Sequence, residues 1–426
     1  MTTTFTTEVY QNRFLPTGTT TVNAVVTVAA GGPAAPAAPD PSDVAQVLMV
    51  DCSGSMGSPR HKLAEAKKAT MAAIDTLPDG VAFGIVAGRA DATMVYPPDP
   101  VLAVADARTR TAAKRAVTQL TADGGTAIGT WLALANTLFI GHPAAFKHAI
   151  LLTDGKNEHE SPHQLAAALR ACEGRFVCDS RGVGDDWSGT ELRTVASALL
   201  GTADGLPDPA GLVDDFRTMT QTAMGKAVAA VSLRLWTPAG ARIRFVKQVF
   251  PHVEDLTDRR QDVSARIGDY ATGAWGAESR DFHVCVDVPA GAVGEERLAA
   301  RVAVVSGDTV LSQSLVLAEW TDDEALSTRI NARVAHYSGQ AELAAAIQEG
   351  LAARDGGDTE TATAKLGRAV QLAAESGHVD TANLLARVVD VVDARTGTVR
   401  LKRSVAGVDA ELADVRSVKT IRVTKG

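Results

Sequence analysis

The sequence predicts a multidomain chain. A Rossmann-like α/β domain with a doubly wound, mainly parallel sheet is inserted in an antiparallel β-sandwich, and a helical C-terminal region follows. Three observations predict this. Between residues 44 and 225, short apolar runs alternate with helical periods, as when crossover helices bury strands on both faces. After residue 228, short strand-like runs separated by Gly, Pro and Asp succeed one another, the texture of a sandwich. From residue 321 the chain turns Ala-rich with helical spacing. Its 426 residues exceed what one hydrophobic core organises.

In residues 1–30, Val22, Ala24, Val26 and Val28 share one face of an extended chain. Strands this few are not stable alone, so they are expected to complete the sandwich of residues 228–320. Residues 31–42 are rich in Pro and Ala and read as a semi-rigid linker to the α/β domain of 43–225. In that domain, 44–50, 81–87, 149–152, 175–180 and 202–206 read as strands and 93–96 as a hairpin edge. Helices are expected at 60–77, 107–120, 127–139, 162–172, 191–200 and 210–224. The first places Leu63, Ala66, Thr70, Ile74 and Leu77 on one stripe. Sandwich strands are expected at 231–236, 242–250, 263–267, 282–288, 298–305 and 310–317. The helical domain, 321–395, reads as four helices split by Gly: 322–337, 340–353, 359–376 and 380–393. Residues 396–426 hold seven Lys/Arg against three Asp/Glu, with strand-like 399–405 and 418–423. They read as a basic tail, solvated or folded into a small hairpin.

Composition narrows the function. A formal charge of -8 disfavours binding to phosphate backbones, so no nucleic-acid partner is expected. The N-terminus shows no basic and apolar secretory signal. No run approaches the roughly 20 apolar residues of a membrane span, so no membrane partner is expected. Four cysteines are too sparse for a disulfide framework and suit a reducing compartment, with Cys172 and Cys178 as reduced thiols. A cytoplasmic location is expected.

The chemistry concentrates where the first α/β strand ends. Asp51, Ser53 and Ser55 present a carboxylate and two hydroxyls on alternate residues, with Gly54 and Gly57 permitting a tight turn. Thr126 lies in a Gly-rich loop before a helix, and Asp154 with Gly155 follows another apolar strand. In a doubly wound sheet such strand ends meet in the ligand crevice. All five side chains are hard oxygen donors, which suits Mg²⁺, with Mn²⁺ an alternative, and argues against structural zinc. Two carboxylates only neutralise a divalent ion, so the metal could still accept an anionic oxygen, naturally an Asp or Glu of a partner protein. This reading requires that the oxygens converge and that no buried Lys or Arg fills their pocket.

In these residues the chain resembles the von Willebrand factor A (VWA) domain with its metal-ion-dependent adhesion site (MIDAS). That pattern is Asp-x-Ser-x-Ser, then Thr, then Asp, matched by Asp51, Ser53, Ser55, Thr126 and Asp154 over roughly 43–225. The resemblance implies a six-stranded sheet and metal-dependent protein binding without catalysis, as in intracellular bacterial relatives that act as scaffolds. It also implies an alternative: an accessory subunit of a chelatase-like or ATPase-associated complex, or an assembly factor of a stress-response or tellurium-resistance system. The chain lacks a phosphate-binding G-x-x-x-x-G-K-[ST] loop, so an ATPase would be a partner.

Other signals read as structural. His159-Glu160-Ser161-Pro162-His163 matches a zinc-protease pattern, but Pro162 cannot sit inside the helix that pattern needs. Ser161 and Pro162 instead read as a helix start, and 156–159 as a polar rim beside Asp154. The Gly182-Val183-Gly184 loop lacks the rest of a dinucleotide fingerprint and reads as another rim loop. Cys52 reads as packing, and Cys285 with His283 and Asp287 as a solvated strand face.

Overall fold

The computed structural model describes residues 3–31, 40–58 and 61–422. The expected linker falls largely on residues outside this set, as do the start of the helix at 60 and the last residue of the run at 418–423. The chain begins with β1 (Thr4–Gln11), β2 (Phe14–Pro16) and β3 (Thr21–Gly31). Next come β4 (Val44–Asp51), α1 (His61–Thr76), β5 (Ala82–Gly88), β6 (Thr93–Tyr96), β7 (Ala103–Val104), α2 (Ala107–Thr118) and α3 (Ile128–Phe139). β8 (Phe146–Thr153), α4 (Pro162–Cys172), β9 (Val177–Val183), α5 (Gly189–Ala198), β10 (Ala203–Leu206) and α6 (Leu212–Met224) complete this stretch. Strands β11 (Val228–Trp236), β12 (Arg242–Phe250), β13 (Glu254–Asp255), β14 (Arg260–Ser264) and β15 (Ile267–Trp275) follow, then β16 (Ser279–Asp287), β17 (Glu296–Ser306) and β18 (Thr309–Thr321). The chain closes with α7 (Glu324–Ser327), α8 (Ala332–Asp355), α9 (Thr359–Ser376), α10 (Val379–Val388), β19 (Val389–Asp393), β20 (Thr398–Leu401) and α11 (Gly407–Arg416).

These elements form two compact units, one of residues 38–226 with 404–416, the other of residues 1–37, 227–403 and 417–426. The first is built on a sheet of order β10-β9-β8-β4-β5-β6, with two-residue β7 also pairing β5. Strands β10, β9, β8, β4 and β5 run parallel, and β6 and β7 antiparallel to β5. β7 makes this a seven-stranded sheet, against the six strands the resemblance implies. β4 is buried over its whole length, as a strand covered on both faces must be. On α1 the buried stripe is Lys62, Ala66, Ala69, Thr70, Ala73 and Ile74, so Lys62 replaces the expected Leu63, which is only half-buried.

In the other unit, β1-β3-β16-β12-β13 is one sheet and β14-β15-β11-β17-β18-β2 the second. The inward faces share a core that includes Phe5, Val26, Tyr270, Trp275, Phe282 and Trp320. β3 pairs with β16 along its length, from Thr21↔Asp287 to Ala29↔Ser279, so the N-terminal strands complete a sandwich whose other members lie beyond residue 227.

Several expectations are corrected. The strand expected at 263–267 is instead the tip of a hairpin, the end of β14, a two-residue turn and the first residue of β15, with Val263 exposed there. The break expected near Gly339 does not occur. Helix α8 runs through it, starting where the Asn331 side chain caps the Arg333 N–H. Burial of Tyr337 and Gln340 on either side offsets the roughly 1 kcal/mol a mid-helix Gly costs. The helix expected at 380–393 ends at Val388, and β19 continues as a strand paired with β20.

The described part of the expected tail, residues 396–422, is folded rather than solvated. Helix α11 buries Leu412, Ala413 and Val415. Glu411 accepts from the Gly189 N–H at 2.6 Å, and Arg193 and Arg416 pair with Asp414 and Asp204. In place of the strand expected at 418–423, Lys419 forms an isolated bridge with His252, and Arg422 meets the buried Asp281. Arg416 and Arg422 thus answer acidic partners rather than solvent, and Lys402 donates to the Ala386 carbonyl. His283 and Cys285 are buried, not solvated, because their sheet's outer face is also covered: Val334 and Tyr337 of α8 pack on Val25 and Val249.

Candidate metal centre

The order of the parallel strands reverses about β4, with β5 on one side and β8 on the other. Asp51 ends β4 and Asp154 follows β8, so both carboxylates stand at the C-terminal edge where the two strands part. Asp51 is held from two sides. Its Oδ1 accepts from the Ser53 N–H at 2.8 Å and its Oδ2 from the Thr153 hydroxyl at 2.6 Å. Ser53 Oγ lies 3.0 Å from Ser55 Oγ, and the Ser55 hydroxyl donates to Asp154 Oδ1 at 2.6 Å. Gly155 lies beneath the same spot: a Cβ there would come 3.5 Å from Ser55 Oγ and 3.7 Å from Thr126 Oγ1. Asp51, Ser53, Thr126 and Asp154 are buried and Ser55 is exposed, so the cradle opens at Ser55. All five oxygen-bearing side chains are therefore brought together.

The Thr126 loop is fixed by contacts the sequence analysis missed. Gly54 N–H donates to the Gly124 carbonyl at 2.9 Å and Asp123 N–H to that of Cys52 at 2.8 Å, tying it to the first loop. From the other side, Asn157 Oδ1 accepts from the Ile128 N–H at 2.8 Å and Glu160 Oε1 from the Gly129 N–H at 2.6 Å. His159 Nδ1 accepts from the Thr126 N–H at 3.1 Å, and the His159 backbone N–H donates to the Thr126 carbonyl at 3.0 Å. A Cβ on Gly125 would lie 2.3 Å from the His159 ring, so only glycine admits this approach. Asn157 and His159 are thus turned into the site's framework rather than left as a free rim. A signal was present: Ala127 at the N-cap of α3 has no side chain to satisfy the helix's first N–H groups, so donors had to be met from elsewhere.

Ser161 caps α4, in a capping box with Gln164, and Pro162 is its first residue, so His159 and His163 do not share a helix. Trp187 fills the space beside Gly182 and Gly205, where a Cβ would come 2.2 and 2.1 Å from the indole. The Gly182 loop is thus packed, not open. Cys172 and Cys178 are free thiols.

The electrostatics add a residue. Lys62 is buried, and its Nζ lies 3.0 Å from Asp154 Oδ2, on the oxygen that Ser55 does not use. Its stem runs against Gly184, where a Cβ would come 2.9 Å from Lys62 Cε. A buried lysine thus stands beside the pocket that was required to be free of one filling it. Yet among the described contacts the ammonium touches Asp154 and none of the hydroxyls, so it flanks the cradle rather than filling it. Asp51 has no basic partner among the described residues, and burial pushes its carboxyl up to about 6 against the donors that favour its charge. Burial likewise pushes the Cys52 thiol up to about 12, as befits a packing residue.

The donor set fits a hard divalent cation: two carboxylates and three hydroxyls, with one carboxylate lacking a counter-charge among the described residues. Among the described residues no group of three or more His, Cys, Asp and Glu could hold a metal. Any metal here therefore depends on the hydroxyls of Ser53, Ser55 and Thr126.

Comparison with known proteins bears on this arrangement. Residues 45–204 match the family model for the von Willebrand factor type A domain, and 371–417 that for the von Willebrand factor type A C-terminal domain. A solved structure, von Willebrand factor type A from Catenulispora acidiphila, is similar at 52% identity and a TM-score of 0.93. The match covers 99% of this chain and 98% of that one. The ArnB paralog VWA2 from Sulfolobus acidocaldarius shares the fold at 15% identity and a TM-score of 0.56, over 98% of this chain and 100% of its own. No curated protein matches. Among the described residues no helix is long and apolar enough to cross a membrane.

Proposed function

The chain belongs to the von Willebrand factor type A family, and from that premise we propose that it is a non-catalytic scaffold that binds a partner protein through Mg²⁺. Asp51, Ser53, Ser55, Thr126 and Asp154 hold the metal, and an Asp or Glu of the partner completes its coordination. The observation that carries this reading is the convergence on Ser55, whose hydroxyl lies 3.0 Å from Ser53 Oγ and 2.6 Å from Asp154 Oδ1, at an opening bordered by Thr126. Mg²⁺ supplies an electrophilic position for an anionic oxygen. Asp51 is aimed by Ser53 and Thr153, and Thr126 by its bonds with His159, so the donors need no large rearrangement. Two carboxylates and one ammonium leave a single net negative charge, so a divalent ion turns the site positive and favours an acidic partner group. Free, buried cysteines suit a reducing compartment, and the cytoplasm is the location we assign.

Thermal melting in EDTA and then in Mg²⁺ or Mn²⁺ tests the metal. At a hundredfold over Kd, the ion should add about 2.7 kcal/mol. No shift, with Asp51→Ala indistinguishable from wild type, removes the metal from the account. A pull-down with and without EDTA tests the partner: a protein retained equally in both is not held through the metal.

A further inference from the structure

Lys62 is a strongly placed charge to which the metal reading gives no role as a ligand. It sits in the first turn of α1, buried, where its four-carbon stem follows the wall made by Gly184 and its Nζ reaches Asp154 Oδ2 at 3.0 Å. Asp185 and Asp186 lie farther off, each 3.9 Å from Nζ and largely exposed, so solvent screens them and Asp154 is the dominant partner. A buried ammonium survives only when paired. Here the partner is a carboxylate that also belongs to the metal cradle, with its two oxygens divided between Ser55 and Lys62.

We propose that Lys62 is the affinity-determining residue of this metal site. It is a tethered monovalent cation that neutralises Asp154 in the metal-free protein and weakens the site's hold on a divalent ion. This deepens the metal-dependent reading above and rests on it. The metal-free cradle would otherwise bury two carboxylates with no counter-charge, and Asp51 already has none among the described residues. With the ammonium in place, an entering metal meets a carboxylate whose charge is shared and a second cation nearby, so its binding is weakened but the loaded site is more positive. A metal bound weakly also stays responsive to the surrounding concentration of free ion.

The test is calorimetric titration of the full chain with MgCl₂, for wild type and Lys62→Met, alongside melting in EDTA. Methionine keeps the apolar stem against Gly184 and removes the charge. At least tenfold tighter Mg²⁺ binding by K62M, with a lower metal-free Tm, supports the proposal. Equal or weaker binding by K62M, while wild type binds, overturns it and leaves the metal-dependent function standing. Binding by K62M alone supports the role of Lys62 and overturns Mg²⁺ dependence in the natural protein. Binding by neither, with both folded, overturns both. If K62M does not fold in EDTA, Mg²⁺ decides: folding restored by the ion supports the proposal, and folding not restored overturns it. Lys62→Gln, which keeps a hydrogen-bond donor but no charge, should follow K62M; if it matches wild type, hydrogen bonding rather than charge is responsible and the proposal falls.

Discussion

The carboxylate of Glu160 accepts the Gly129 N–H at 2.6 Å, so the loop after one acidic strand end caps the helix that follows the Thr126 loop. A Cβ on Gly129 would come 2.4 Å from Glu160 Oε2, and the closeness is part of the fit. With Asn157 doing the same for Ile128, two orphan N–H groups of α3 are satisfied by side chains 29 and 31 residues away. Removing a helix-capping side chain costs about 1 kcal/mol. Asn157→Ala with Glu160→Ala should therefore lower the metal-free Tm by an amount equivalent to about 2 kcal/mol. It should also weaken Mg²⁺ binding severalfold, because Thr126 is no longer held in place. Calorimetry and melting check this; unchanged affinity would show that the Thr126 loop is positioned without them.

Asp51 gives an opposite-signed effect. Its carboxyl is raised on folding from 3.8 to about 6, chiefly by burial, so the folded state keeps the proton longer. Metal-free stability should therefore fall as pH rises from about 3.8 to about 6, by on the order of 3 kcal/mol, and stay low above that. Asp51→Asn removes this term. In EDTA at pH 8 the variant should melt above wild type, yet gain nothing from Mg²⁺. A lower metal-free Tm would mean that the buried charge is not a burden.

His283 should make the sandwich acid-sensitive. Burial, with a smaller contribution from Lys247, pulls its imidazole down to about 4, while an unfolded histidine titrates near 6.5. The folded state thus binds fewer protons within that window. Stability is fully present above about 6.5 and lost as pH falls towards 4, by on the order of 3 kcal/mol. His283→Gln keeps a polar group near Asn23, 3.0 Å from the native ring nitrogen, and should flatten this limb in melts between pH 4 and 7.

Gly339 has open space where a Cβ would stand, inside the unbroken helix α8. Gly339→Ala should stabilise the unit by about 0.5–1 kcal/mol, read as a rise in Tm. A drop would indicate that the helix needs a pliable point there.

Much of this protein was legible in residue order because its physics is local. The alternation of apolar runs and helical periods set the parallel sheet. The spacing of Asp51, Ser53 and Ser55 put three oxygens on one turn, and Thr126 and Asp154 stood at the right loops. Ser161 before Pro162 fixed the start of α4 and so ruled out a continuous helix through His159 and His163. The contacts between distant segments were decided only by the tertiary structure. Helix α11 packs against α5 across more than two hundred residues of sequence, which turned an apparent basic tail into part of the α/β unit. A glycine read as a break stayed inside α8, because packing on either side outweighs a local preference. Lys62 occupies a position on α1 four residues before Ala66, on the buried stripe, yet pattern alone treats a lysine as solvated. Its burial follows from Asp154, ninety-two residues away, reaching it at 3.0 Å. Periodicity reports which side of an element faces inward; it carries no information about which charge awaits there, and that information appears only when the strands are laid side by side.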